Sequence, residues 1–164
     1  MKKIKLANNR GTALVDDDDF DRVSQFKWCI LEGLHTNYAQ TSIYPNGRHT
    51  TVSMHRLIMN KPKKMHVDHK DGNGLNNQQQ NLRLCTRSQN LGNSLKRKGC
   101  SSKFKGVTWN KRDKKWKAHG CLNSCFNYLG YFDDEQEAAQ AYNVWAVKAF
   151  GEFAQLNKLE DSNA

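Results

Sequence analysis

With 164 residues the chain holds one medium domain or two small ones, and neither half can rely on a large hydrophobic core. Its net charge of +10 is concentrated: residues 95–120 carry 10 Lys/Arg against 1 Asp/Glu, residues 1–94 carry 14 against 8, and residues 121–164 carry 2 against 7. No apolar run approaches the roughly 18 residues of a membrane span, residues 1–10 show no secretory pattern, and Cys29, Cys85, Cys100, Cys121 and Cys125 form no CxxC pair, which argues against a membrane protein, a disulfide scaffold and structural zinc.

Residues 2–6 alternate as Lys-Lys-Ile-Lys-Leu, the turn-prone Asn8-Asn9-Arg10-Gly11 follows, and Ala13-Leu14-Val15 forms a second apolar run; these read as N-terminal strands. Asp16-Asp17-Asp18-Asp19 then leads into Phe20, Val23 and Phe26 at three-residue spacing. Carboxylates at the start of a short helix complement its dipole, and this reading is preferred to a metal site. Strand-like residues 38–44, the turn signal Pro45-Asn46-Gly47 and residues 50–54 predict a hairpin, which residues 55–59 leave as a short helix. Residues 95–102 are basic, small and aperiodic, as in a linker. Three aromatic runs, residues 105–109, 115–119 and 127–132, predict a three-stranded antiparallel sheet. Asp133 or Asp134 caps a following helix that Gly151 ends, with Ala138, Tyr142, Trp145 and Ala149 recurring on its inner face among small alanines.

The chemistry is concentrated in Val67-Asp68-His69-Lys70-Asp71-Gly72-Asn73, then Asn76-Asn77, Asn81-Leu82-Arg83 and Asn90. Adjacent Asp68 and His69 point to opposite faces of a strand, so a twist or a strand end must bring them to one site. A carboxylate and an amide oxygen suit a hard divalent cation. A neutral imidazole beside that cation can take a proton from water.

Asp68-His69, Asn81 after 11 residues and Asn90 after 8 more resemble the HNH nuclease motif in the variant that ends in Asn, as in phage homing endonucleases of that class. The resemblance implies a ββα-metal fold, His69 as general base, Asp68 and Asn90 as metal ligands, and Asn81 as the residue that tethers the loop and orients His69. The implied metal is Mg²⁺ or Mn²⁺, with no small-molecule cofactor. Residues 13–17, 26–28 and 54–57 resemble the same proteins, which makes residues 1–94 one nuclease module. His55 contacts substrate, supports the site or packs at a helix start; His66 is expected to be exposed, and Asp71 to shape the turn with Gly72. Arg83 and Arg87 either clamp phosphate or face solvent. One metal and one His per chain imply a monomer that cuts one strand, a second strand needing a second monomer or event.

Phe104-Lys105-Gly106-Val107, Trp116-Lys117-Ala118, Leu129-Gly130-Tyr131-Phe132, residues 137–142, Phe150-Gly151-Glu152 and Asn157 together resemble the ethylene-response-factor (Apetala-type) DNA-binding domain. That family lays its sheet in the DNA major groove. Lys105 stands where the family usually has Arg, and Thr108 where it often has another, so base readout is weakened. DNA contacts are expected from Lys96, Arg97, Lys98, Lys103, Lys105, Lys111, Arg112, Lys115 and Lys117, together with Arg83 and Arg87. Trp109 stacks or packs on sugar, while Trp116 and Trp145 belong to the core. A polyanion would feel this stretch strongly; the plain alternative is a solvated face.

The expected chain is α+β: a ββα-metal HNH nuclease module over residues 1–94 (motif 67–90), a basic linker over 95–102, an ethylene-response-factor-like domain of three-stranded antiparallel sheet and one packed helix over 103–157, and a tail over 158–164. The expected activity is metal-dependent, site-recognising hydrolysis of double-stranded DNA by a homing-type nuclease or nickase. The alternative is a DNA-binding regulator with an inactive HNH module. The chain reads as intracellular, in the host cytoplasm if phage-encoded.

Overall fold

Alternation decides the first pairing in the computed structural model, which describes residues 1–7, 10–60, 64–96 and 99–160. Strands β1 (Lys2–Lys5) and β2 (Thr12–Val15) run antiparallel with Ile4 opposite Ala13, both buried. Helix α1 (Asp17–Ser24) follows with Asp17, Asp18 and Asp19 in its first turn, where the helix dipole favours negative charge. It stops before Phe26, whose ring instead meets Trp28 edge-on at 5.9 Å. Trp28 is buried, and its indole N–H donates to the Val23 carbonyl at 2.8 Å, so the large ring enters the core without an unpaired donor.

Strands β3 (Cys29–Leu31), β4 (Tyr38–Ile43) and β5 (Thr50–Ser53) form an antiparallel sheet in that order. β3 goes beyond the sequence reading, since three residues are too few for an alternation to show. The β4–β5 turn is the expected one: Asn46 and Gly47 both take positive φ, 52° and 74°. Helix α2 (Met54–Ile58) leaves β5, and strands β6 (His66–His69) and β7 (Leu82–Cys85) form a separate antiparallel pair. Ile4, Val15, Val23, Trp28, Met54, Val67 and Leu82 share one core, each large side chain contributing roughly 1.5–3 kcal/mol by burial.

These elements make up the first of two compact units, Met1–Arg87; the second is Ser88–Ala164. The division falls inside helix α3 (Arg87–Asn93). The second unit continues with strands β8 (Val107–Asn110), β9 (Lys115–Leu122) and β10 (Cys125–Phe132), in sheet order β10-β9-β8, and helix α4 (Glu135–Phe150). β9 and β10 extend past the expected runs to a two-residue turn, Asn123-Ser124, with φ of 51° and 67°. Asp134 caps α4 by accepting from the backbone N–H of Gln136 and Glu137. The buried face of α4 is Ala138, Ala139, Tyr142, Ala146 and Phe150; Ala149, expected on this face, is half-buried. Gly120 lets the helix lie close, because a Cβ there would stand 2.1 Å from the Trp145 ring. No helix among the described residues is long and apolar enough to cross a membrane.

Candidate active site

β6 and β7 place Asp68 directly opposite Arg83 and His69 opposite Leu82. Opposed residues share a face, so Asp68 and Arg83 form a cross-strand ion pair: the guanidinium Nε and one terminal nitrogen both lie 2.9 Å from Asp68 Oδ2. Asp68 and His69 end β6 with both side chains buried, 6% and 5% exposed, although they point to opposite faces. His69 meets two rings from the first unit, His55 of α2 at 5.0 Å and Tyr38 of β4 at 5.9 Å. Tyr38 also touches His55, at 5.6 Å.

The segment after His69 is held by its own amides. Asp71 Oδ1 accepts from the Asn73 N–H at 2.8 Å and Asn73 Oδ1 from the Leu75 N–H at 3.1 Å, the local turns that Asp and Asn side chains favour. Asn81 closes the loop from the far side: its Oδ1 accepts from the Asp71 N–H at 3.1 Å, and its Nδ2 donates to Asp71 Oδ1 and the Asn76 carbonyl, both at 2.9 Å. Asp71 Oδ2 accepts from Asn76 Nδ2 at 2.8 Å, so this carboxylate is spent on the loop. Burial acts to raise the Asp71 carboxyl, but the hydrogen bonds from Asn76, Asn73 and Asn81 hold it below its usual range.

Two neighbours fix the loop against the first unit. β2 receives it through Leu14 N–H to the Leu75 carbonyl and Asn77 N–H to the Leu14 carbonyl, both 2.8 Å. Gly74 lies flat on β4, where a Cβ would stand 2.5 Å from both the Asn37 carbonyl and the Tyr38 ring. The acidic run takes part as well: Asp16 accepts from the Gln79 N–H at 2.7 Å, and Asp19 accepts from Gln79 Nε2 at 2.8 Å while pairing with Arg22. Sequence reasoning missed Tyr38, Gly74, the Gln79 contacts and the Arg83–Asp68 pair. Asn73, Asn76-Asn77 and Asn81 were the local signals that this loop is amide-rich.

Burial governs the protonation of the site. It lowers His55 to about 3, helped by the charges of His69 and Arg56. It also lowers His69, against the opposing pull of Asn77, Asp71 and Asp68. Both imidazoles are therefore neutral near pH 7, the form that can accept a proton. Tyr38 is raised by burial and then by the Asp68 charge, which keeps the phenol protonated.

The HNH endonuclease family model matches residues 54–91, which run from α2 through β6 and β7 into α3. An uncharacterized HNH endonuclease of Acanthamoeba polyphaga mimivirus is 35% identical over 163 residues, covering 94% of this chain and 80% of the relative. The chain belongs to the HNH endonuclease family. Protein 3.8 of Escherichia phage T7 is 39% identical over 56 residues, 34% of this chain and 46% of that protein. No solved structure matches.

HNH nucleases generally use a divalent metal. Among the described residues no three His, Cys, Asp or Glu side chains converge as a metal group. The donors expected here are instead one carboxylate, Asp68, and one amide oxygen, Asn90, oxygen chemistry of the kind a hard cation takes. Asp68 is buried in the first unit with Oδ2 engaged by Arg83, whereas Asn90 is half-buried on α3 in the second.

The expected DNA-contacting residues of this HNH chain differ in exposure and in partners. Arg87 and Lys111 are exposed, Lys96 is half-buried, and Arg97 and Lys98 lie outside the described residues. Lys103 pairs with Glu160 at 2.8 Å, Arg112 with Asp113 at 3.0 Å and Lys115 with Asp133 at 3.1 Å, all exposed pairs of small energetic weight. Lys117 lies over the Phe126 ring at 4.9 Å, and exposed Trp109 meets Trp116 at 4.9 Å. Lys105 is the exception: its ammonium donates to backbone carbonyls of residues 91, 92 and 94. His66 is half-buried on β6, not exposed, because the β7 pairing that sets it opposite Cys85 was not legible locally.

Proposed function

We propose that the protein is a divalent-metal-dependent endonuclease that hydrolyses phosphodiester bonds of double-stranded DNA, acting as a site-recognising nickase of homing type. What supports this most is His69: a buried, neutral imidazole beside Asp68, with its following loop locked by Asn81. His69 accepts the proton of the attacking water, and Asn81 holds the loop that orients it. Asp68 and Asn90 would hold Mg²⁺ or Mn²⁺; when bound, the cation supplies positive charge for the phosphate and the leaving oxygen. Asn90 enters this set on the motif spacing. Tyr38 and His55 exclude water from the rear of the imidazole.

The domain roles follow the motif: residues 1–94 cut, and residues 103–157 hold DNA in the manner of an ethylene-response-factor domain. The three-stranded sheet backed by α4 and the surplus of basic residues over 95–120 support the second role. A protein acting alone, as a monomer and in the host cytoplasm if phage-encoded, nicks one strand.

One observation favours a second reading, a DNA-binding regulator with a silent nuclease site: Asp68 Oδ2 is already neutralised by Arg83. Supercoiled plasmid incubated with pure protein in Mg²⁺ and in EDTA separates the two. Conversion to the open-circular form in Mg²⁺ alone supports the nuclease; an intact plasmid in both, with DNA still shifted on a gel, supports the regulator.

A further inference from the structure

Asn90, the last residue of the motif, rides on α3, and the second unit grips that helix on several sides. At its start, the Asn123 N–H donates to Ser88 Oγ at 3.0 Å. Near its end, Gly92 lies against Phe150, where a Cβ would come within 2.6 Å of the ring, and its carbonyl accepts from the Gln155 N–H at 3.1 Å. Lys105 closes the helix: Nζ donates to the carbonyls of Gly92 and Ser94 at 2.6 Å and of Leu91 at 3.2 Å. Carbonyls in the last turn lack partners within the helix and carry its negative dipole end, so a cation belongs there.

The lysine is itself clamped. Asn157 Oδ1 accepts from the Lys105 N–H at 2.7 Å, and Asn157 Nδ2 donates to the Lys105 carbonyl at 3.0 Å. The Asn157 backbone is in turn held by both ends of the Asn143 amide, at 2.8 and 3.0 Å. Burial pushes the ammonium down to about 8. An ammonium has three donors. All three are used on the last turn of α3 and on Ser94 just beyond it, which leaves none for a phosphate.

We propose that Lys105 is a positioning residue of the nuclease site, fixing the C-terminal end of α3 and thereby the helix that presents Asn90. The proposal rests on the reading of Asn90 as a metal ligand, and it removes Lys105 from the set of phosphate contacts.

The test uses full-length wild type, Lys105→Met and Lys105→Arg. Mn²⁺ binding without DNA is read from the free-ion paramagnetic resonance signal, duplex affinity in EDTA across a salt series, and folding from the thermal melt. Both variants are expected to bind Mn²⁺ about tenfold more weakly, the scale of a lost supporting contact. Their duplex affinity and its salt slope stay at the wild-type level. Arg retains the charge, but its planar fork does not direct three bonds into carbonyls gathered around one ammonium; at a phosphate it would serve at least as well as Lys. If Lys105→Met fails to melt cooperatively, Lys105→Arg decides alone. Unchanged Mn²⁺ affinity overturns the proposal, as does weaker duplex binding with a salt slope reduced by about 1, the signature of a lost phosphate contact. Wild type that binds no Mn²⁺ overturns the metal-nuclease reading along with it, whereas wild type that binds Mn²⁺ beside unaffected variants overturns the Lys105 role alone.

Discussion

Asn81 spends its amide on Asp71 and Asn76, in three part-buried hydrogen bonds. Asn81→Ala removes all three bonds, at a cost of about 2 kcal/mol in urea unfolding. Single-turnover nicking falls further than stability, by about 100-fold, because the loop no longer fixes His69. Wild-type nicking in a folded variant contradicts that role. His55 carries a pH effect. Its folded value of about 3 lies below the ordinary 6.5, so the fold favours the neutral ring. The stabilisation is complete above pH 6.5 and is lost as pH falls toward 3, at about 1.4 kcal/mol per pH unit for this one group. His55→Phe, measured by chemical unfolding between pH 4.5 and 7.5, should show a flatter dependence than wild type. The same steepness in both would remove His55 as the source. Asp68, His69 and Asn81 were legible as a pattern of types and spacings. The Arg83 pairing was not, since it depends on the register in which β7 returns after a 12-residue connection, from 70 to 81.

At the scale of elements, Gly74 joins the loop to the sheet. Its contact with Tyr38 and Asn37 is set by backbone proximity, so Gly74→Ala must push β4 or the loop away. The expected loss is about 1–3 kcal/mol of stability, as in an overpacked core. Because Tyr38 abuts His69, the folded fraction should also nick more slowly at unchanged duplex affinity. A variant with wild-type melting and wild-type nicking would show that this junction yields freely. Local chemistry made the N-terminal strands, the β4–β5 hairpin, α2, the three-stranded sheet and α4 readable, with the cap narrowed to Asp133 or Asp134, of which Asp134 makes the bonds. β3 escaped because it is short, and the β9–β10 turn because Asn123-Ser124 is a weaker signal than Asn-Gly. The buried stripe of α4 runs through Ala138, Tyr142, Ala146 and Phe150 at four-residue spacing, so it turns away from Ala149, and Phe150 at its end packs against Gly92.

For the whole molecule, the motif and the compact units divide the chain differently. The motif runs through Asn90 as one local pattern, whereas the boundary between units falls after Arg87. Sequence periodicity records the first and is blind to the second, which is decided by what α3 touches: Phe150, Gln155 and Lys105. The concentrated basic stretch was visible from composition, yet several of its side chains are engaged within the protein, Lys105 most completely. The central claim is that this HNH chain cuts DNA through His69. It is tested most directly by single-turnover nicking of supercoiled plasmid by wild type and His69→Ala at saturating Mg²⁺, with duplex affinity measured in EDTA on the same preparations. The account predicts equal affinity and a nicking rate reduced by about 10²–10⁴-fold, the range of a lost general base. Equal rates would contradict it.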